Sequence, residues 1–193
     1  MEYFKESFLK KANQIFKLGY VPSRKSESYF CVIKKSNENI LTGNLCNCLC
    51  HACFNFLNEH YKSYDFSEYE MLSTQGFINQ CKTKEEISLK IQNFLKSTGL
   101  KVEKDSQYND LKENQWRVAL FFDEITFGNI HLIRDFHFML EEKDKTWSSK
   151  ENFEPKLNVL NSLPQNYQDY YKLHEVFVLE NPFVSQYEKE KIK

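Results

Sequence analysis

Two stretches decide how this chain folds: Gly43-Asn44-Leu45-Cys46-Asn47-Cys48-Leu49-Cys50-His51-Ala52-Cys53 and, in the second half, Arg134-Asp135-Phe136-His137-Phe138-Met139. The first reads as the start of a helix. Asn47 is a good N-cap, because its side chain can accept a hydrogen bond from an otherwise unsatisfied amide. Beyond it, Leu49, Ala52, Cys53, Phe56, Leu57 and His60 fall on one stripe at helical spacing. Cys48 then lies in the first turn, beside the stripe. The second stretch alternates apolar and polar residues, as a half-buried strand does. Asp135 and His137 are two apart and share a face. A cysteine opening a helix and a histidine on a later strand form the layout of a thiol–imidazole pair.

Outward from these stretches, the first half is helical. Phe4, Phe8, Ala12, Ile15 and Phe16 predict an amphipathic helix over residues 3–17, docked on the domain. Residues 18–43 read as a wrapping segment with a short strand at Tyr29 to Ile33. Residues 65–81 predict a further helix. The helix over 84–97 is specified most fully: Thr83 with Glu86 makes a capping box, Ile87, Ile91, Phe94 and Leu95 form its apolar face, and Gly99 stops it.

The second half changes period. Trp116 to Phe122 reads as a buried strand, Asp135 to Glu142 as a second, and Trp147 to Lys150 as its return after a turn at Lys143 to Thr146. Glu141 to Lys145 reads as a solvated hairpin tip. A polar loop containing Pro155 and Pro164 follows, then a last strand at Glu175 to Leu179, closed by Asn181-Pro182. Helices followed by an antiparallel sheet predict an α+β fold. The expected organisation is a single domain over 1–193: an N-terminal helix and wrapping segment (1–40), a core (41–182) and a tail (183–193).

Composition bounds the rest. The chain has 193 residues, 41% hydrophobic and 16% aromatic, enough for a substantial core. Net charge is −1, with 26 basic and 27 acidic side chains and no basic stripe, which argues against nucleic acid as partner. No run approaches the about 18 apolar residues of a membrane helix, and no cleavable signal peptide is evident. The expected location is cytoplasmic, or translocated without such a signal. The six cysteines are too clumped for a disulfide framework. Cys46, Cys48, Cys50 and Cys53 all sit in one segment, whereas structural zinc usually draws ligands from two. Neither metal nor cofactor is expected.

The cysteine segment Asn47-Cys48-Leu49-Cys50-His51-Ala52 resembles the N-C-x-x-x-A start of the catalytic helix in a bacterial group of NlpC-like, papain-like proteins. In that group a later strand reads D-[YF]-H-[WF], and W-S-H-K follows ten residues after its histidine. Here Asp135-Phe136-His137-Phe138 is followed by Trp147-Ser148-Ser149-Lys150. The resemblance spans roughly residues 40–180. It implies a papain-like α+β fold, a protein or peptide substrate and a thiol mechanism, with Cys48 as nucleophile and His137 as base. It departs from the pattern at Ser149, which replaces the histidine that is a candidate for the third polar position. A serine can hydrogen-bond an imidazole but supplies no charge. Asp135, or Asn158 or Asn161 in the following loop, can take the orienting role instead, or it is missing.

Three other readings of the cysteine segment stand beside this one. Cys48 can be a small buried hydrophobe, as most thiols are. Cys46 is the nucleophile if the helix begins earlier. The same fold with an eroded site can serve as a protein-binding module, an inhibitor or a translocated effector.

Overall fold

The computed structural model describes residues 2–21, 48–54, 78, 81–128, 130–150 and 157–184. Among the described residues lie the helices α1 (Glu2–Lys17), α2 (Cys48–Cys53) and α3 (Lys84–Ser97). Seven strands follow: β1 (Lys101–Lys104), β2 (Gln115–Phe127), β3 (Ile130–Glu141), β4 (Trp147–Lys150), β5 (Leu157–Leu160), β6 (Asn166–Tyr167) and β7 (Tyr171–Glu180). They form one antiparallel sheet in the order β1-β7-β2-β3-β4-β5, with the short β6 paired on β7. This is an α+β architecture.

The long β2–β3–β7 centre has two different faces, as alternation along a strand requires. One face carries Trp116, Val118, Leu120 and Phe122 of β2 with Phe136, Phe138 and Leu140 of β3. These pack with Ala12 and Phe16 of α1, Cys48, Leu49, Ala52 and Cys53 of α2, and Ile87, Ile91, Phe94 and Leu95 of α3. The other face carries Ala119, Phe121 and Met139, packed with Trp147, Tyr167, Tyr171 and Val176.

Local signals explain the helices. In α3, Thr83 Oγ1 accepts from the Glu86 amide at 3.1 Å and Glu86 reaches back to the Thr83 amide, so the capping box forms as expected. Gly99, at φ +99°, ends the helix; a Cβ there would sit 2.5 Å from Asn13 Nδ2. Asn181 ties the two ends of the chain together, its amide donating to the carbonyls of Phe16 and Tyr20. Phe183 is partly buried and also packs on the core.

Several expectations need correction. Helix α2 ends at Cys53: Phe54 leaves it and packs its ring on Phe16 and Phe94, at 6.3 and 5.9 Å between centroids. Phe56, Leu57 and His60 lie outside the described residues, as do Asn47, the strand at Tyr29 to Ile33 and, apart from the helical Ile78, most of 65–80. The loop after Lys150 contains β5 and β6, and β7 begins at Tyr171 rather than Glu175. The reason is a register shift between β2 and β7: Leu120 faces Glu175 but Phe121 faces Leu173. The extra residue, His174, breaks the alternation that marks a strand. Its consequence is that Tyr171 and Val176, an odd number of residues apart, share one face.

Glu141 and Glu142 are buried rather than solvated. Glu141 pairs with the guanidinium of Arg117, which also meets Asp105 and the Asn109 carbonyl. Buried charges persist when they are paired and hydrogen-bonded in this way. No helix among the described residues is long and apolar enough to cross a membrane.

Candidate functional site

Cys48 is the first residue of α2 and is 4% exposed; the helix packs against both β3 and β4. Strand β4 pairs with β3 at Leu140–Ser148 and Glu141–Trp147. Two polar ties hold α2 in place. Trp116 Nε1 donates to the Ala52 carbonyl at 3.2 Å, and His51 Nε2 lies 2.9 Å from Ser148 Oγ. Ser148 in turn donates to the carboxylate of Glu142. Lys150 lies buried on the same strand. Burial, and then the charge of Lys150, push the His51 imidazole down to about 4, so it is neutral near pH 7. His51 thus does more than pack: it anchors the helix that carries Cys48.

His137 sits in β3 opposite Phe121 and is 5% exposed. Its ring stacks on Tyr167 at 5.0 Å between centroids and 19° between planes, and lies 5.2 Å from the ring of Tyr171. Nε2 has no hydrogen-bond partner among the described residues. Burial, and secondarily His51, push the imidazole down to about 3. The resting ring is therefore neutral near pH 7, and burial disfavours its protonated form.

Asp135 shares the face of His137 but serves another group. Its Oδ1 accepts from the Phe136 amide at 2.8 Å, and its Oδ2 accepts from the Tyr171 hydroxyl at 2.6 Å. Ser149 is fully buried and its Oγ donates to the Tyr167 hydroxyl at 3.1 Å. Asn158 Nδ2 donates to the same oxygen at 2.9 Å. Asn161 is exposed and takes no part. The candidates for the orienting role therefore converge, but on the two tyrosines: Ser149 and Asn158 hold Tyr167, and Asp135 holds Tyr171.

Cys48 and His137 approach this cluster from different sides. Cys48 packs in the helix-side core, whereas His137 belongs to the opposite face by alternation and by its stack on Tyr167. The Tyr171 ring lies beside His137 and its hydroxyl is bonded to Asp135. Burial, then the Asp135 carboxylate, then Cys48 hold its hydroxyl well above the usual tyrosine range. The same hydroxyl is thus bonded to Asp135 and within electrostatic reach of the thiol. Cys53 is core, with its thiol pushed up by burial and by Cys48. Cys46 and the Cys50 side chain lie outside the described residues.

Tyr167 and Tyr171 escape a reading by motif because they flank a tight turn. Gln168 and Asp169 have φ of 52° and 63°, and Tyr167 pairs directly with Tyr171 across the turn. The signal in the sequence is Tyr167-Gln168-Asp169-Tyr170-Tyr171: aromatic residues around a pair able to adopt the left-handed region, asparagine-like Asp169 more readily than Gln168. No protein-family model matches the chain, and comparison with curated proteins and with solved structures yields no match.

Proposed function

We propose that this chain is a papain-like, NlpC-like cysteine hydrolase or acyl-transfer enzyme that acts on an amide or isopeptide bond of a protein or peptide. Cys48 gives its proton to His137 and attacks the carbonyl carbon, so a C–S bond forms. As the C–N bond breaks, the imidazolium returns the proton to the leaving amine. Water, or an acceptor amine, then releases the acyl group with His137 as base. The amide of Cys48 and a nearby polar group hold the oxyanion.

The observation that carries this reading is that α2, opened by Cys48, packs against β3, the strand that bears His137 and Asp135. Burial opposes an imidazolium at His137, so a resting thiolate–imidazolium pair is what the test has to find. The test is the pH dependence of iodoacetamide labelling, mapped by mass spectrometry, on wild type and His137→Ala. Cys48 is expected to label fast below pH 7 and to slow in the variant; equal, ordinary rates in both proteins exclude a thiolate–imidazolium pair.

A second reading rests on burial and on sides. Cys48 and His137 are only 4% and 5% exposed, and they pack in cores on opposite faces of the sheet. With Ser149 committed to Tyr167, the fold then serves as a protein-binding module, inhibitor or translocated effector without turnover. An ordinary thiol at Cys48, together with capture of a defined protein partner that survives Cys48→Ala, is the outcome expected of this reading.

A further inference from the structure

In the papain-like reading, which this inference rests on, an imidazole needs a partner that fixes its plane. Among the described residues no carboxylate or amide fills that role. Asp135 is bonded to Tyr171 and the Phe136 amide, and His137 Nε2 has no hydrogen-bond partner among the described residues. What touches the imidazole broadly is the ring of Tyr167, nearly parallel to it at 5.0 Å. That ring is itself fixed. It is 7% exposed, packs on Phe121 at 6.4 Å, and its hydroxyl accepts hydrogen bonds from Ser149 and Asn158 on two neighbouring strands.

We propose that Tyr167 is the positioning residue of His137: its ring, braced at the hydroxyl by Ser149 and Asn158, sets the plane of the imidazole by stacking. A parallel aromatic face does one thing that an uncharged hydrogen-bond partner at Ser149 cannot. Its negative π face attracts a cation within about 6 Å of the centroid, so it favours the imidazolium formed when the thiol proton is transferred. The ring acts through His137 and does not touch the reacting atoms.

The arrangement also explains the residue at position 149. A short hydroxyl side chain, fully buried under Tyr167, meets the tyrosine oxygen without reaching the imidazole. Orientation passes from a direct bond to a relay: β4 and β5 hold the tyrosine, and the tyrosine holds the histidine.

The experiment compares wild type, Tyr167→Phe and Tyr167→Leu by two readouts. One is the proton NMR shift of the His137 ring, assigned with His137→Gln. The other is the pH profile of Cys48 alkylation by iodoacetamide. The stack predicts an upfield ring-current shift of His137 that persists in Tyr167→Phe and is lost in Tyr167→Leu. It also predicts that alkylation near pH 6 falls about fivefold in Tyr167→Leu and less in Tyr167→Phe. An unchanged His137 shift in Tyr167→Leu overturns the proposal, as does an unchanged alkylation profile when wild type shows a reactive Cys48. If Tyr167→Leu does not fold, the Ser149→Ala, Asn158→Ala double variant substitutes. It retains the ring without its braces and should broaden and shift the His137 signal; an unaltered signal overturns the relay. An ordinary thiol at Cys48 in wild type, with the ring-current shift present and lost as expected, leaves the stack standing and removes the enzyme reading.

Discussion

The two faces of the central sheet are built from the same strands and do different work. Toward the helices, β2 and β3 present Trp116, Val118, Leu120, Phe122, Phe136, Phe138 and Leu140, all apolar and all buried. On the other side the intervening residues are Arg117, Asp123, Asp135, His137 and Glu141 among Ala119, Phe121 and Met139. The first face stabilises by removing apolar area from water, which is non-directional. The second holds ionisable groups that persist only with partners: Arg117 with Asp105 and Glu141, Asp123 with Arg134, Asp135 with Tyr171. Stability concentrated on one face permits a polar cluster on the other.

The sharpest way to break this comparison is to remove Arg117. Arg117→Leu leaves the buried carboxylates of Asp105 and Glu141 without their cation, and a loss of about 3–5 kcal/mol is expected in denaturant unfolding at pH 7. Burial alone pushes the Asp105 carboxyl up, yet the Arg117 and backbone hydrogen bonds outweigh it and hold the group below its ordinary value. Without the arginine the Asp105 carboxyl takes up its proton more readily, so the deficit should narrow as pH falls toward 4. A deficit independent of pH would show that the network is not electrostatic in origin.

On the helix side, Leu120→Ala should lose about 2–5 kcal/mol through lost burial and a residual cavity. It should leave the pH profile of Cys48 alkylation in shape as it was. A changed profile would mean that the two faces are not separable in the way their residues suggest.

The histidines supply a smaller, pH-dependent effect. His51 and His137 are held near 4 and near 3 by burial, against 6.5 in the unfolded chain. A histidine with a lowered folded value favours the folded state fully above pH 6.5. That advantage is lost as pH falls toward the folded value, because the unfolded chain binds the proton first. Each contributes a slope of up to about 1.4 kcal/mol per pH unit in that window. Thermal melts from pH 7 to pH 4 should therefore steepen in wild type, and His137→Gln should remove part of the slope. An identical slope in the variant would show that His137 titrates as it does unfolded.

The smallest expected effect is at the helix cap. Thr83→Ala removes the acceptor for the Glu86 amide and should lower stability by about 1 kcal/mol, with the Cys48 profile untouched.

The local elements were legible in the sequence where local chemistry specifies them. The capping box and Gly99 bounded α3, amphipathic spacing marked α1, and apolar runs marked the centres of β2 and β3. The placement of Cys48 at a helix start and of His137 on a strand was also readable, because local pattern carries each. Only the tertiary structure decided which polar groups meet. Ser149 and Asn158 turn to Tyr167, and Asp135 to Tyr171, because a residue inserted at His174 re-phases β7 and a tight turn folds β6 back on it. Periodicity tells which side of its own strand a residue occupies. It does not tell which neighbour a bulge or a turn brings opposite, and that is set by pairing across the sheet.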